Sequence, residues 1–215
     1  MTEKKLIEMI EKMQQTSFSS DSSKSVSWCA YREAEKLDDP SLLPVLCEII
    51  TDNNSENEKG VRRSAYFIMI SLLEKAMIPQ YCQFVIDMLE KETDKYVLES
   101  MLSCIGRKLK IPAEVDITPL IECTKSDKWL IRHSAISALR ASNTEACREA
   151  VRSWVRQTDE KAYKYEIIYA ISSLSIIGDM NDIELLEQHI HSRIRDIKGS
   201  ALFAINCIQA KSNGI

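Results

Sequence analysis

Apolar residues recur along this chain at helical spacing, and the spacing itself repeats. The segments beginning at Val61, Val97, Ile131, Tyr163 and Ile197 lay apolar side chains at offsets 0, 4, 5 and 8 from each start: Val61, Ala65, Tyr66 and Met69 in one, Ile131, Ala135, Ile136 and Leu139 in another. Offsets of that kind describe a broad apolar stripe on an α-helix. A weaker copy, VSWCAYREAEKL, begins at Val26. The starts at 26, 61, 97, 131, 163 and 197 are separated by 35, 36, 34, 32 and 34 residues, the length of one helical hairpin. A partner helix is expected before each, over residues 2–14, 40–51, 79–92, 116–125, 144–157 and 180–191. No single hairpin of this size buries its own apolar faces, so six stacked in order are needed to make a continuous core.

Helix-start signals agree with this division. Asp39-Pro40 places an N-cap before a proline that a first turn tolerates, and Ile78-Pro79 makes a similar start. Asn143 and Asp179 are further expected caps, and Gly178 suits the end of the preceding helix. Small residues at Ala138, Ala170 and Ala204, with Cys104, allow close helix approach. The Ser-rich stretch 16–25 and the segment 52–60, DNNSENEKG, read as solvated loops. The expectation is a single repeat domain over 1–215, with hairpins at about 1–38, 39–76, 77–112, 113–142, 143–178 and 179–215.

Composition narrows the class further. With 45% hydrophobic and 28% charged residues the chain is not a disordered tail, and five Gly and five Pro are too few for a many-stranded β fold. No stretch approaches 18 apolar residues, and the N-terminus mixes charge with apolar positions, so neither a membrane span nor secretion is expected. Seven cysteines, odd in number and never spaced CxxC, suit reduced thiols in a cytoplasmic setting.

Two units carry a more specific series. Pro119 is followed eight residues later by Asp127, then Ile131-Arg132, Ala135 and Leu139; Pro44 is followed eight later by Asp52 and then Val61-Arg62 and Ala65. In these residues the chain resembles the HEAT-repeat family of α-solenoids. The resemblance implies an all-α fold, a right-handed α-α superhelix of about six hairpins. Asp94 and Asp159 keep the acidic turn elsewhere, while Leu98 and Lys164 stand where the family has Arg. Arg62, Arg132 and Lys198 then read as residues that tie one repeat to the next.

No catalytic constellation is present. His133, His189 and His191 form no HExxH, no glycine-rich phosphate loop or nucleophile elbow occurs, and nothing implies a metal or a cofactor. Offsets 2, 6 and 9 point away from the apolar stripe, and by the resemblance that face lines a concave groove. It carries Arg63, Phe67, His133, Arg140, Tyr165, Tyr169 and Phe203, a composition suited to protein binding. The expectation is a non-enzymatic scaffold for a protein or peptide partner. Residues 1–127 carry net −6, 128–165 net +4 and 166–215 net −2. Within the basic stretch Arg148, Arg152 and Arg156 stand four apart near Trp154, with Glu145 and Glu149 positioned to pair with them. The alternative is a DNA-binding protein of the type of the bacterial HEAT-like alkylpurine DNA glycosylases, to which SDKWLIRHSAI, Ser126 to Ile136, is loosely similar. A net charge of −4 and a pI of about 5.5 disfavour nucleic acid.

Overall fold

Helices form where the stripes demand them. The computed structural model describes residues 2–15 and 22–213, and among these are twelve α-helices and no strand. The second helices of the repeats are α2 (Val26–Ala34), α4 (Lys59–Ala76), α6 (Lys95–Lys108), α8 (Trp129–Ala138), α10 (Lys164–Ile177) and α12 (Arg195–Ser212). Their partners are α1 (Glu3–Met13), α3 (Leu42–Asp52), α5 (Pro79–Lys91), α7 (Thr118–Cys123), α9 (Glu145–Val155) and α11 (Ile183–Glu187). Every expected pair is found, with α11 shorter than anticipated because a 3₁₀ turn over Met180–Asp182 precedes it.

The chain divides into two compact units, Met1–Val115 with α1 to α6 and Asp116–Ile215 with α7 to α12. In the first, α4 is the most enclosed helix. Its residues from Ile68 to Leu73 are all buried, and it packs against α3 and α6. In the second, α10 holds that place between α8, α9 and α12. The stripe positions Ala135, Ile136 and Leu139 are buried, as are Ile167 and Ile171. The last helix departs from the pattern: Ile197 and Ala201 are buried but Leu202 is 44% exposed.

Several start signals act differently from expectation. Asp39 Oδ1 accepts from the Ser41 amide and hydroxyl, so it caps the turn through Pro40, and α3 begins only at Leu42. Thr144, not Asn143, caps α9 by accepting from the Cys147 amide, while Asn143 Oδ1 accepts from Arg148. Asp179 and Asp182 form a reciprocal capping box. Pro79 opens α5 as expected. Gly178 ends α10 for a steric reason, since a Cβ there would stand 2.5 Å from the Leu174 carbonyl oxygen. Met77, with φ of 36°, closes α4 in the left-handed region, a conformation disfavoured for any residue with a Cβ. Of the Ser-rich loop, residues 16–21 lie outside the described set. Ser25 at its end caps α2 through the Trp28 amide.

The repeat-to-repeat ties are explicit. Arg62 Nε and Nη2 donate to Glu92 at 2.8 Å each, and Nη1 donates to the carbonyls of Asn53 and Ser55, which anchors the 52–60 loop. Arg132 donates likewise to Glu166 and to the Ser126 carbonyl. Lys164, at the position where Arg was expected, reaches Asp196 at 2.7 Å. Lys198 in the last repeat is exposed. The acceptors Glu92 and Glu166 are not the turn aspartates of the repeat series. Asp94 instead caps α6 through the amides of Tyr96 and Val97. Lys75 and Lys211, both 14 residues past a repeat start, donate back to the preceding repeat: Lys75 to the Glu35 and Leu37 carbonyls just past α2, and Lys211 to the Ser175 carbonyl in the last turn of α10.

The Arg62 and Glu92 side chains are only 5% and 1% exposed. Glu92→Gln therefore strands a buried guanidinium and is expected to lower unfolding free energy by about 3–5 kcal/mol, read by urea denaturation. Arg62→Met with Glu92→Leu should recover part of that loss. A single substitution within about 1 kcal/mol of the parent would contradict a buried, mutually dependent pair.

Candidate functional site

The expected face residues separate by unit. In the first unit Arg63 is exposed and, with Gln14, Lys59, Asp94 and Glu99, borders a cleft of about 540 Å³. Phe67 is half-buried. Tyr31 meets its ring edge-on with centroids 4.7 Å apart, and the Lys108 ammonium stands 5.5 Å from its centroid. Its surface is thus largely engaged by its own unit.

The second unit gathers a different group. His133 of α8 lies against Tyr165 and Tyr169 of α10, with ring centroids 5.8 and 5.3 Å away. Trp129, one turn before His133 on α8, completes the set at 5.4 Å. Trp129 was not anticipated, although its i,i+4 spacing to His133 is legible in the sequence. The rings of Trp129, Tyr165 and Tyr169 face solvent, with residue exposures of 63%, 57% and 40%, whereas the His133 side chain is only 12% exposed. Phe203 of α12 is 64% exposed, and Arg140 is half-buried on a 3₁₀ turn that follows α8.

Beneath the rings lies a buried carboxylate. Glu166 Oε1 accepts from Arg132 Nη2 at 2.6 Å and stands 3.2 Å from His133 Nε2. Burial alone would raise the Glu166 carboxyl, but the Arg132 bonds and the nearby His133 hold it below the ordinary range. The His133 imidazole is lowered as well, by burial, and the opposing pull of Glu166 only partly offsets this. At neutral pH the floor of the patch is then a neutral imidazole donating from Nε2 to an arginine-neutralised carboxylate. Lys164 stands 5.4 Å from the Tyr165 centroid, a cation on the π system.

The Arg148, Arg152 and Arg156 stripe is internally paired. Arg148 bonds Glu145, Arg156 bonds Glu149, and Arg152 bonds both Glu145 and the buried Asp182 of the next hairpin. His189 is buried against Glu160 and the Val155 carbonyl. Burial raises the Cys104 and Cys147 thiols and pushes Cys82 up to about 11, so these are protonated core side chains at neutral pH. Among the described residues no group of three or more His, Cys, Asp or Glu is placed to hold a metal ion, and no helix is long and apolar enough to cross a membrane.

Among solved structures, a designed armadillo repeat protein aligns over 94% of this chain and 98% of its own, with a TM-score of 0.53 and 13% identity. A second, in complex with the peptide (KR)4, aligns over the same shares with a TM-score of 0.54 and 12% identity. The fold is an armadillo/HEAT-like repeat solenoid. Human deoxyhypusine hydroxylase in complex with glycerol overlaps less well, with a TM-score of 0.48 and 12% identity over 97% of this chain and 75% of that one. No protein-family model matches the solenoid's sequence, and no curated protein matches it.

Since His133 binds its second proton less readily folded than unfolded, the unfolded state takes up more protons just below the ordinary imidazole value of 6.5. Stability should therefore rise with pH through that window and fall on acidification. Urea midpoints recorded from about pH 7.5 to about pH 5 should show the fall, and His133→Gln should flatten it. The Glu166 carboxyl, depressed below 4.5, titrates beneath this range. An unchanged slope in the variant would contradict the assignment.

Proposed function

We propose that this protein is a non-catalytic repeat scaffold that binds a protein or peptide partner on the α8–α10 face of its second unit. The observation that carries the reading is the row of exposed rings, Trp129, Tyr165 and Tyr169, packed about the half-buried His133. Tyr and Trp supply large contact area at low entropic cost and dominate interface energetics. Here they stand on adjacent helices fixed by the Arg132–Glu166 tie, so little ordering is needed on binding. A designed protein of the same fold holds a peptide, which supports this mode of use. Of the buried carboxylates, Glu92, Glu166 and Asp182 are each bound to an arginine and Asp94 caps α6, an arrangement suited to structure and not to general acid–base work.

The test begins with affinity capture and identification of a partner, followed by calorimetry with the purified pair. Trp129→Ala and Tyr169→Ala should each weaken binding by about 2 kcal/mol or more, while thermal unfolding shifts little because both side chains already face solvent. A partner that binds both variants like the parent would overturn the reading. So would tight duplex-DNA binding with a steep salt dependence, which would favour the glycosylase-type alternative.

A further inference from the structure

The first turns of α8, α10 and α12 stand side by side, since Arg132 reaches Glu166 and Lys164 reaches Asp196. The positive ends of three helix dipoles thus meet at one edge of the second unit. The same edge carries Lys128, Lys161, Arg193, Arg195 and Lys198, all exposed and none in an ion pair among the described residues. Its carboxylates are mostly engaged. Glu122 pairs with Lys125, Asp159 caps the Ala162 amide, Glu160 holds His189 and Ser192, and Asp196 holds Lys164. The edge is a local cationic surface on a chain whose net charge is −4, and the ring row lies directly beside it.

One position leaves this surface open. Equivalent residues of successive repeats touch, as His133 and Tyr165 do at 5.8 Å. The next residue in that column is Gly199, where an added Cβ would meet nothing within 4 Å. The row of rings therefore ends on the α12 side in a space that no side chain fills.

We infer that this edge docks an acidic segment of the partner, its carboxylates on Lys128, Lys161, Arg195 and Lys198 and an apolar or aromatic side chain on the Trp129–Tyr165–Tyr169 rings. The inference rests on the peptide-binding reading and supplies its chemistry. A phosphate polymer fits less well: the cations sit on separate turns of helices packed about 8–10 Å apart, not on a continuous track. The net negative charge also opposes a long polyanion.

Selecting short random peptides by display against the intact protein tests this directly. The selected peptides should be rich in Asp and Glu with an aromatic or aliphatic residue, and should bind more weakly as NaCl is raised. In fluorescence anisotropy Gly199→Glu should weaken a selected peptide roughly tenfold or more and Gly199→Lys should tighten it, with both variants retaining the parental circular dichroism melt. Basic or neutral selected peptides, or indifference to both Gly199 variants, would overturn the acidic preference while leaving peptide binding intact. Failure to enrich any peptide would overturn both. Tighter binding of oligo-dT than of the selected peptide would overturn the inference in favour of nucleic acid.

Discussion

A cation at the start of one second helix, held by a carboxylate of the next hairpin, is the constraint on which the arrangement depends. Arg62 with Glu92, Arg132 with Glu166 and Lys164 with Asp196 are three instances. Hydrophobic burial drives hairpins together, but apolar stripes of Ala, Ile and Leu tolerate sliding by a turn. A buried ion pair tolerates none, because a one-turn shift leaves a charge without its partner at a cost of about 3–5 kcal/mol. The pairs at Glu92 and Glu166 thus act chiefly on register. The exposed Lys164–Asp196 pair contributes little energy and marks where the same geometry continues.

Register in turn makes the surface. Because Arg132 is fixed on Glu166, the residue after Arg132 is brought against the two residues, one turn apart, that flank Glu166 on one side in helical projection, and His133 meets Tyr165 and Tyr169. Glu166 therefore serves two neighbours. Its charge is neutralised by Arg132, and its Oε1 orients the imidazole that the exposed rings lean on. That pairing and the Lys164–Asp196 pair together align the first turns of α8, α10 and α12, so that helix dipoles and exposed lysines fall on one edge. One structural device accounts for the rigidity of the face and its polarity.

Much of this was legible from residue spacing. The starts at 26, 61, 97, 131, 163 and 197 fall at or within two residues of the second-helix starts, because 3.6-residue periodicity with small residues at Ala138, Ala170 and Ala204 admits few other packings. His133, Tyr165 and Tyr169 fall in adjacent columns of the repeat and do come together. What the columns did not hold was any element of irregular position. Glu92 lies five residues before a repeat start and Glu166 three after one, so no alignment of repeats places them as equivalent acceptors. Trp129 precedes its repeat start and so has no place among offsets 2, 6 and 9. Thr144 caps in place of Asn143 because α9 begins only at Glu145, and the Asn143 side chain accepts from Arg148 instead. The boundary at Val115–Asp116 has no counterpart in the period, which runs unbroken through it.

In the proposed function the face around His133, and not another exposed aromatic, receives the partner. The three tryptophans report on it separately: Trp129 belongs to the face, Trp28 stacks with Arg32 near the N-terminus, and Trp154 packs on Tyr163. Nitrogen-15 spectra of the indole N–H groups, followed during titration with a bound partner or peptide, separate them. A shift or broadening of Trp129 with Trp28 and Trp154 unmoved is the predicted result. Movement of Trp28 or Trp154 with Trp129 unchanged would contradict the account.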